Sequence, residues 1–450
     1  MKVHFIGIGG IGVSALAQYY LAKGHNVSGS DLASSGITDN LKEKGAKLLL
    51  RVHKARNLPE DADLVVHSPA VPSDNPEIKK AKRLGIKIQS YPKALGGLTK
   101  EYFTIAVSGT HGKSTTTAMI ASILTKAGLD PTVIIGTKLK EFGNGNFRAG
   151  KSRYLVIEAD EWQASFLNYW PKIIVLTNIE PEHLDYYKNL KHILKTYREY
   201  ISHLSKDGIL IVNKDDKNIT KIINKITKTK QKISTNTFLP IAENVLVYFL
   251  KQKEAGKLRK ILKVPGEHNI YNALAALTVA RALKIPDKVL FKAISEYKGS
   301  WRRFEIKKAK IGNKRFTIIS DYAHHPTEIK TTLEAAREKF LNRKIWCIFQ
   351  PHQHQRTFYL FDDFVKTFSQ APIDRLIITD IYDVAGREKK RIEKKISSKK
   401  IIKQIKKSQA IYLQKERIKS YLKRNLEGRE VVIIMGAGDI YELVNEFSTT

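Results

Sequence analysis

One stretch organises this chain: Ile105-Ala-Val-Ser-Gly-Thr-His-Gly-Lys-Ser-Thr-Thr-Thr-Ala-Met-Ile-Ala-Ser-Ile-Leu124. Its first three residues form an apolar run typical of a buried parallel strand, and two glycines then precede a Lys-Ser pair that opens a helical run. Backbone N–H groups in such a loop and the helix N-terminus bind phosphate oxygens. Lys113 can neutralise phosphate charge and the Ser114 hydroxyl suits Mg²⁺. The stretch therefore predicts a nucleotide site.

The spacing of this loop departs from the common phosphate loop. Only Thr110 and His111 separate Gly109 from Gly112, whereas the common loop has four residues there. The alternative is an ordinary glycine-rich strand-to-helix turn capped by Thr110. The Lys-Ser pair at the start of the helix favours nucleotide binding over that alternative.

A second glycine-rich turn lies at the N-terminus. A strand predicted over residues 2–8 ends in Gly7-Ile-Gly-Gly-Ile-Gly12, and a helix from Val13 to Lys23 and a strand from His25 to Ser30 follow. With Asp31 about twenty positions on, the pattern matches the dinucleotide fingerprint of Rossmann dehydrogenases. The same turn holds the diphosphate of a nucleotide sugar, because backbone N–H groups read the anion and not the base. Both interpretations stay open on this pattern alone.

Carboxylates and amides follow the phosphate loop along the chain. The apolar run from Tyr154 ends in Glu158-Ala-Asp-Glu161, which predicts a metal-binding acid beside the loop, against the alternative of surface acids after a buried strand. His183 follows the apolar run Ile173–Leu176 and is a candidate ligand. Asn269 and Asn272 could read a purine edge, or Asn269 could cap the helix that begins there.

The last third of the chain alternates apolar runs with helical stretches, which predicts another doubly wound sheet. The predicted strands are Phe316–Ile319, Ile345–Phe349, Leu376–Thr379, Ala410–Leu413 and Val431–Met435. Polar clusters follow three of them, at Asp321–Glu328, Gln350–Thr357 and Gly436–Asp439, where such sheets bind ligands. Zinc is a possible reading of the paired histidines, but no cysteine or HExxH spacing supports it, and substrate positioning is preferred.

Length and composition bound the remaining possibilities. The 450 residues predict three α/β domains, over residues 1–98, 99–298 and 299–450. A single cysteine, Cys347, excludes disulfides within the chain, and with no signal-peptide pattern or membrane span we expect a cytoplasmic protein. The net charge of +34 makes nucleic acid a candidate partner to consider. Because lysines are dispersed and interspersed with glutamate, we expect no specific nucleic-acid partner.

Taken together, the motifs resemble those of the Mur ligase family across all three predicted domains. The motifs that carry the resemblance are Gly109-Thr-His-Gly-Lys-Ser114, Glu158-Ala-Asp-Glu161, Asn178 to His183, His268-Asn269, Asp321-Tyr-Ala-His-His-Pro-Thr-Glu328 and Phe349-Gln-Pro-His352. The resemblance implies Rossmann-like first and third domains around a central ATPase-like domain. It also implies a reaction in which ATP activates the lactyl carboxylate of UDP-N-acetylmuramate as an acyl phosphate, which L-alanine then attacks.

The resemblance further implies roles for individual residues. ATP is assigned to Gly109, Thr110, His111, Gly112, Lys113, Ser114, Thr115, Asn269, Asn272, Arg302, Arg303 and Asp321. The UDP-sugar is assigned to Gly7, Gly9, Gly10, Ile11, Gly12, Asp31 and Ser68. The amino acid is assigned to Tyr322, His324, His352 and Arg356. Magnesium, which manganese can replace, is assigned to Ser114, Glu158 and His183, and the catalytic group is Lys113, His183, His324 and Arg356.

Two departures from the family pattern stand out. Trp162-Gln163 replaces the usual Ser-Asp after Glu161, and Ser114 replaces a threonine while keeping the hydroxyl. The nearest alternative within the family is a recycling ligase that joins a preformed peptide to the same sugar nucleotide. The alternatives outside it are a nicotinamide-dependent oxidoreductase and a basic nucleic-acid-binding ATPase. We expect a monomer or a weak homodimer.

Overall fold

The structure is a computed structural model of the chain, and it describes residues 1–184, 186–230, 244–383, 392, 394–405 and 409–447. The chain divides into two compact units. The first consists of Met1–Glu182, Asn189–Ile261 and Tyr271–Glu296, and the second of His183–Lys188, Leu262–Ile270 and Tyr297–Thr450. Within the described residues, none of the helices combines the length and apolar character needed to cross a lipid bilayer.

The first sheet belongs to the first unit and is wholly parallel, in the order β3-β2-β1-β4-β5. Its strands are β1 (Lys2–Ile6), β2 (Asn26–Asp31), β3 (Lys47–Leu50), β4 (Leu64–His67) and β5 (Lys87–Ser90). Its helices are α1 (Ile11–Ala22), α2 (Gly36–Glu43), α3 (Pro76–Arg83) and α4 (Tyr91–Glu101). The strand order reverses direction at β1, so a crevice for ligands is expected beyond the end of β1, where the N-terminal glycine turn lies.

The second sheet also belongs to the first unit, in the order β12-β11-β10-β6-β9-β7-β8, and only the β7–β8 pair is antiparallel. Its strands are β6 (Phe103–Ser108), β7 (Thr132–Leu139), β8 (Gly145–Arg148), β9 (Tyr154–Glu158), β10 (Ile173–Leu176), β11 (Ile209–Asn213) and β12 (Val245–Tyr248). The helices of this region are α5 (Lys113–Lys126), α6 (Leu190–Ile201), α7 (Lys217–Lys230), α8 (Lys253–Ile261), α9 (Glu267–Ala282) and α10 (Asp287–Glu296). Strand β6 lies between β9 and β10, so the ends of these two strands flank the phosphate loop.

The third sheet belongs to the second unit, in the order β13-β14-β18-β15-β16-β17, with one antiparallel pair, β13–β14. Its strands are β13 (Glu305–Ile311), β14 (Lys314–Asp321), β15 (Ile345–Phe349), β16 (Arg375–Ile378), β17 (Ala410–Tyr412) and β18 (Val431–Met435). Its helices are α11 (Pro326–Lys339), α12 (His354–Tyr359), α13 (Phe361–Gln370), α14 (Ser398–Gln404), α15 (Lys415–Asn425) and α16 (Glu442–Phe447). Buried apolar clusters cover both faces of this sheet, and Cys347 is fully buried in one of them.

The predicted fold class, three α/β regions with Rossmann-like ends, is confirmed. Three predicted strands are confirmed residue for residue: Ile173–Leu176, Ile345–Phe349 and Val431–Met435. The first strand is shorter than the predicted residues 2–8, because Gly7 takes a positive φ of 75° and ends it. The domain boundaries stay predictions, and the one placed after residue 98 falls inside α4.

Candidate active site

The N-terminal glycine turn is held from the end of β2. The N–H groups of Gly7 and Ile8 donate to the Ser30 carbonyl oxygen at 2.9 and 3.1 Å, and the Gly9 N–H donates to the Asp31 carboxylate at 2.7 Å. A methyl group built on Gly9 would come within 3.0 Å of that carboxylate. Asp31 therefore fixes the backbone of the turn, a role that the fingerprint pattern did not indicate.

The other residues predicted for the UDP-sugar gather around the start of α1. Gly10 is the N-cap residue of α1, and no side chain caps this helix end. A Cβ on Gly7 would meet the Ser68 Cβ at 3.0 Å, and a Cβ on Gly12 would meet the Tyr91 ring at 2.8 Å. The N–H groups of Gly7, Ile8 and Gly9 are bound within the chain, so the N-terminus of α1 is the part of the turn that can bind a diphosphate.

A buried carboxylate, that of Glu77, is hydrogen-bonded to Ser30, the residue that holds this turn. Glu77 is fully buried and accepts hydrogen bonds at 2.8 Å from the Ser30 hydroxyl, from His4 Nε2 and from His53 Nδ1. Burial raises the pKa of the Glu77 carboxyl, but the hydrogen bonds from His4, His53 and Ser30 outweigh it and lower the pKa to about 2. The Ser30 carbonyl accepts the N–H groups of Gly7 and Ile8, so Ser30 connects the Glu77 carboxylate to the turn.

The phosphate loop depends on backbone conformations that favour glycine. Gly109 has a φ of 136°, and Gly112, the N-cap residue of α5, has a φ of 82°. A Cβ on Gly109 would lie 2.1 Å from the Thr177 hydroxyl oxygen. The His111 N–H donates to the Asn178 side-chain oxygen at 2.9 Å. The end of β10 therefore shapes the loop, and the alternative in which Thr110 caps the helix is wrong, because Gly112 is the N-cap residue of α5.

Lys113 is held by the loop and by an acid at the end of β9. Its Nζ donates to the carbonyl oxygens of Gly109 at 2.6 Å and Thr110 at 3.2 Å, and to both Glu161 carboxylate oxygens at 2.9 and 3.1 Å. Burial lowers the pKa of Lys113, but the carboxylates of Glu161, Asp160 and Glu158 outweigh it, and the net shift is upward. The lysine therefore stays charged where phosphate oxygens would bind.

Oxygen ligands meet next to this lysine. The Ser114 hydroxyl donates to Glu158 Oε2 at 3.0 Å, and Glu158 Oε1 accepts the Gly136 N–H at 2.6 Å. A hydroxyl and a carboxylate oxygen in contact form a donor set that fits Mg²⁺. His183 falls in the second unit, where its carbonyl accepts the N–H groups of Tyr186 and Tyr187 at 2.9 and 2.8 Å, and its role as a metal ligand stays a prediction.

The two amides predicted to read adenine belong to different units. Asn272 lies beside the phosphate loop, accepting a hydrogen bond from Thr116 Oγ1 at 3.2 Å, and a Cβ on Gly112 would come within 2.4 Å of its Oδ1. Asn269 donates to the Pro265 carbonyl at 2.6 Å. Because α9 begins at Glu267, Asn269 is inside the first turn, and the interpretation of Asn269 as an N-cap is wrong.

Asp321 ends β14 as a buried carboxyl group. It accepts the N–H groups of Ala323 at 2.7 Å and Phe304 at 2.8 Å. Burial raises the pKa of Asp321 to about 6, and the nearby Arg303 and the two N–H groups oppose that rise. The carboxyl thus organises the polar loop that follows β14.

Arg302 and Arg303, the two arginines predicted to contact phosphate, differ in how exposed their side chains are. Arg302 is 4% exposed, and its guanidinium donates to the carbonyls of Gly436 and Gly438 and lies against the ring of Tyr322. Burial lowers the pKa of Arg302 to about 10. The Arg303 side chain is 29% exposed, and its guanidinium lies 5.1 Å from the centroid of the Tyr322 ring and 3.9 Å from Glu328. Of the predicted pair, Arg303 is therefore the better candidate for a phosphate contact.

The structure brings the predicted amino-acid pocket together at the ends of β14 and β15. Arg356 Nη1 lies 3.1 Å from His352 Nδ1 and donates to the His352 carbonyl at the same distance. The rings of His352 and His324 are 5.9 Å apart, and those of His324 and Tyr322 are 5.4 Å apart. A guanidinium and two imidazoles thus converge from segments about thirty residues apart.

The sequence analysis missed three residues that contact the predicted site residues. Glu161 pairs with Lys113, and its signal was its place in the same acidic run as Glu158. Glu180 lies 3.4 Å from His111 Nε2. Tyr382 stacks on His352 with ring centroids 5.6 Å apart, and nothing in the sequence after β16 indicated this contact.

Comparison with known proteins agrees with this arrangement. Three family models match successive segments: "Mur ligase family, catalytic domain" over residues 2–103, "Mur ligase middle domain" over 107–280 and "Mur ligase, glutamate ligase domain" over 302–438. The UDP-N-acetylmuramate--L-alanine ligase of Acetivibrio thermocellus is 43% identical over 99% of this chain and 95% of its own length. The enzyme of that name from Clostridium botulinum is 41% identical over 98% of this chain and 96% of its own length. This chain belongs to the Mur ligase family.

Solved structures support the same architecture. The UDP-N-acetylmuramate-alanine ligase of Thermotoga maritima matches with a TM-score of 0.76 and 29% identity, covering 99% of this chain and 98% of that one. A murein peptide ligase from Psychrobacter arcticus matches with a TM-score of 0.70 and 23% identity, covering 99% of this chain and 98% of that one. At that identity the match shows the fold alone. The three-domain Mur ligase architecture thus extends over the whole chain.

Trp162 and Gln163, the departure from the Mur ligase pattern, lie in a 3-10 segment from Trp162 to Asn168. Gln163 and Ala164 both have left-handed backbone conformations, with φ of 51° and 55°. Trp162 is buried, and its backbone N–H donates to the Asp160 carboxylate at 3.1 Å. The replacement therefore adds a buried aromatic ring directly after the acidic run.

Proposed function

We propose that this chain is an ATP-dependent ligase that joins L-alanine to the lactyl carboxylate of UDP-N-acetylmuramate in peptidoglycan precursor synthesis. Relatives of that name match nearly the full chain at 40–43% identity. The observation that carries the proposal is the pairing of Lys113 with Glu161 and of Ser114 with Glu158, where the loop after β6 meets the end of β9. A lysine, a hydroxyl and carboxylates at one sheet edge are what transfer of a phosphoryl group to a carboxylate needs.

The first step transfers the γ-phosphoryl group of ATP to the lactyl carboxylate, giving an acyl phosphate and ADP. Lys113 neutralises charge on the β and γ oxygens, and the loop N–H groups orient them. Ser114 and Glu158, with His183 as a further candidate, would hold Mg²⁺, which supplies charge neutralisation to the phosphates when bound and which Mn²⁺ can replace. Asn269, Asn272, Arg303 and Asp321 are assigned to ATP.

In the second step the alanine amine attacks the acyl carbon, an amide bond forms and phosphate leaves. Arg356 binds the alanine carboxylate, because its planar guanidinium makes two charge-assisted hydrogen bonds. His324 and His352 complete the pocket, and Tyr322 lies beside His324. Holding the amine near the acyl carbon is the main contribution of such a pocket.

The assay that tests this function measures phosphate release from ATP with UDP-N-acetylmuramate and one amino acid at a time. We expect release with alanine, and the comparison with glycine and serine defines the specificity. Activity only with a preformed peptide would replace the proposal by the recycling ligase. Reduction of NAD without ATP consumption would favour the oxidoreductase. We expect the reaction in the cytoplasm, where ATP and the sugar nucleotide are present, with the protein as a monomer or weak homodimer.

A further inference from the structure

Tyr91 places its phenol end against the N-terminal glycine turn. It is the first residue of α4, and a Cβ built on Gly12 would lie 2.8 Å from its Cζ and 2.9 Å from its hydroxyl oxygen. Such distances are too short for any side chain, so a glycine is required at position 12 as long as Tyr91 occupies this place. The Tyr91 hydroxyl therefore lies at the start of α1.

The same phenol lies within electrostatic reach of the acids after the phosphate loop. Burial raises the pKa of Tyr91, and the carboxylates of Glu158 and Asp160 raise it further. The hydroxyl is consequently protonated at neutral pH and acts as a hydrogen-bond donor. The phenol thus lies against the glycine turn of the first sheet and close enough to the acidic strand end of the second for those carboxylates to affect its pKa.

Helix α4 is fixed relative to the acidic strand end. A Cβ on Gly96 would come within 2.2 Å of the Asn168 carbonyl oxygen, so the helix packs directly on the 3-10 segment that follows Glu161. The Thr99 hydroxyl oxygen accepts the Trp170 N–H at 2.9 Å and donates to the Gly96 carbonyl at 2.7 Å. The position of Tyr91 is therefore set by the scaffold before any ligand binds.

The hydroxyl of Tyr91 is available to a ligand. In the part of the chain that the structure describes, no group forms a hydrogen bond with it, and the residue is only partly buried. A half-buried tyrosine hydroxyl usually finds a polar partner.

We propose that the Tyr91 hydroxyl donates a hydrogen bond to the N-acetylmuramyl part of the substrate, between the diphosphate and the carboxylate that receives the phosphoryl group. This inference rests on the proposed function. With the diphosphate at Gly7 to Gly12 and the reacting carboxylate near Ser114 and Glu158, the sugar must cross the space that the phenol faces. Tyr91 is then a specificity determinant for the sugar, and uridine diphosphate alone does not reach it.

The test is a calorimetric comparison of UDP and UDP-N-acetylmuramate binding, without ATP, to the wild type and to Tyr91→Phe. The variant keeps the ring and removes only the hydrogen-bond donor. We expect its Kd for UDP-N-acetylmuramate to rise roughly tenfold, as for the loss of one hydrogen bond to a substrate, while its Kd for UDP stays unchanged. The KM for the sugar nucleotide should rise, with the KM for ATP unaltered.

The matched control is Tyr102→Phe, which removes a hydroxyl just after the other end of α4, where Tyr102 pairs with Tyr19 at 3.1 Å. It should bind both ligands as the wild type does. Equal weakening of UDP and UDP-N-acetylmuramate by Tyr91→Phe would mean that Tyr91 shapes the turn, and no weakening of either would mean no contact; each result overturns the inference. If the wild type itself does not bind UDP-N-acetylmuramate, the proposed function fails instead.

Discussion

The two glycine turns of the first unit form the same kind of backbone cradle but are surrounded by opposite chemistry. At the N-terminal turn, an acid, Asp31, binds the Gly9 N–H, and the supporting charge of Glu77 is buried beneath. At the phosphate loop, Lys113 lies inside the cradle and is paired with Glu161. A diphosphate that stays unchanged during a reaction needs only a fixed backbone to bind it. A phosphoryl group that is being transferred also needs a positive side chain, which neutralises the negative charge that shifts between its oxygens. The comparison teaches that the glycines provide shape and the neighbouring side chains decide the task.

The strongest test of this difference is Lys113→Ala. We expect turnover to fall by at least roughly a thousandfold, because the variant removes the positive charge that stabilises the transferred phosphoryl group. Phosphate release and the Kd for UDP-N-acetylmuramate are measured together, and that Kd should change by less than about twofold, because the sugar nucleotide uses the other turn. Lys126→Ala, on the exposed side of the same helix, serves as the control. Equal loss of turnover and sugar binding would contradict the two-site arrangement.

The second test removes the buried charge beneath the N-terminal turn. Glu77→Gln should destabilise the first sheet by about 3 kcal/mol, because His4, His53 and Ser30 lose a charged acceptor. Hydrogen exchange at pH 7 should speed up in β1 and β2 but not in α5. The folded pKa of about 2 lies below the ordinary 4.5, so this stabilisation is present above pH 4.5 and is lost as the pH falls toward 2.

A matched surface variant separates this effect from a general loss of carboxylate charge. Glu60→Gln alters an exposed acid that pairs with Lys80, and it should leave exchange in β1 and β2 unchanged. If both variants accelerated exchange equally, or if the gap between wild type and Glu77→Gln did not shrink in thermal scans below pH 4.5, the buried network would not support the turn.

A third variant affects neither turn. Arg356→Ala should raise the alanine KM by roughly thirtyfold, because it removes a partly buried, charge-assisted contact worth on the order of 2 to 4 kcal/mol. Steady-state kinetics with each substrate varied should show unchanged KM values for ATP and the sugar nucleotide. Arg356→Lys should rescue only in part, because a point charge cannot reproduce the planar fork. A tenfold rise in the ATP KM with alanine unaffected would assign Arg356 to phosphate instead.

The smallest expected effect is that of nucleic acid on ATP hydrolysis, and we expect none. Despite the net charge of +34, single-stranded RNA or DNA should not stimulate ATP hydrolysis at physiological salt, because the lysines are dispersed along the chain. ATPase rates with and without nucleic acid provide the measurement. Stimulation that persists at that salt concentration would show that the phosphate loop serves a different class of protein.

Local patterns in the sequence determined most of the parallel strands, the two glycine turns and the family. Runs such as Ile173–Leu176 and Val431–Met435 are uniformly apolar, because strands of a parallel sheet are covered on both faces, and their bounds follow from composition alone. Strands β3, β7, β8, β11, β12 and β13 were not predicted. β8 and β13 are edge strands with an antiparallel partner and mixed polarity, such as Glu-Ile-Lys-Lys-Ala-Lys-Ile in β13, and edge strands carry a weaker pattern. β7 and β11 are largely buried strands inside their sheet, and the prediction overlooked the apolar runs that form them.

Tertiary structure alone decided which side chains meet. Glu77 lies 73 residues from His4, Glu161 lies 48 residues from Lys113, and Tyr91 faces Gly12 across most of the first sheet region. No spacing rule connects such pairs, because the strand order of a sheet, and not distance along the chain, brings strand ends together. The sequence by itself thus determined the cradles and the chemical groups available to them, and the fold decided which group serves which cradle.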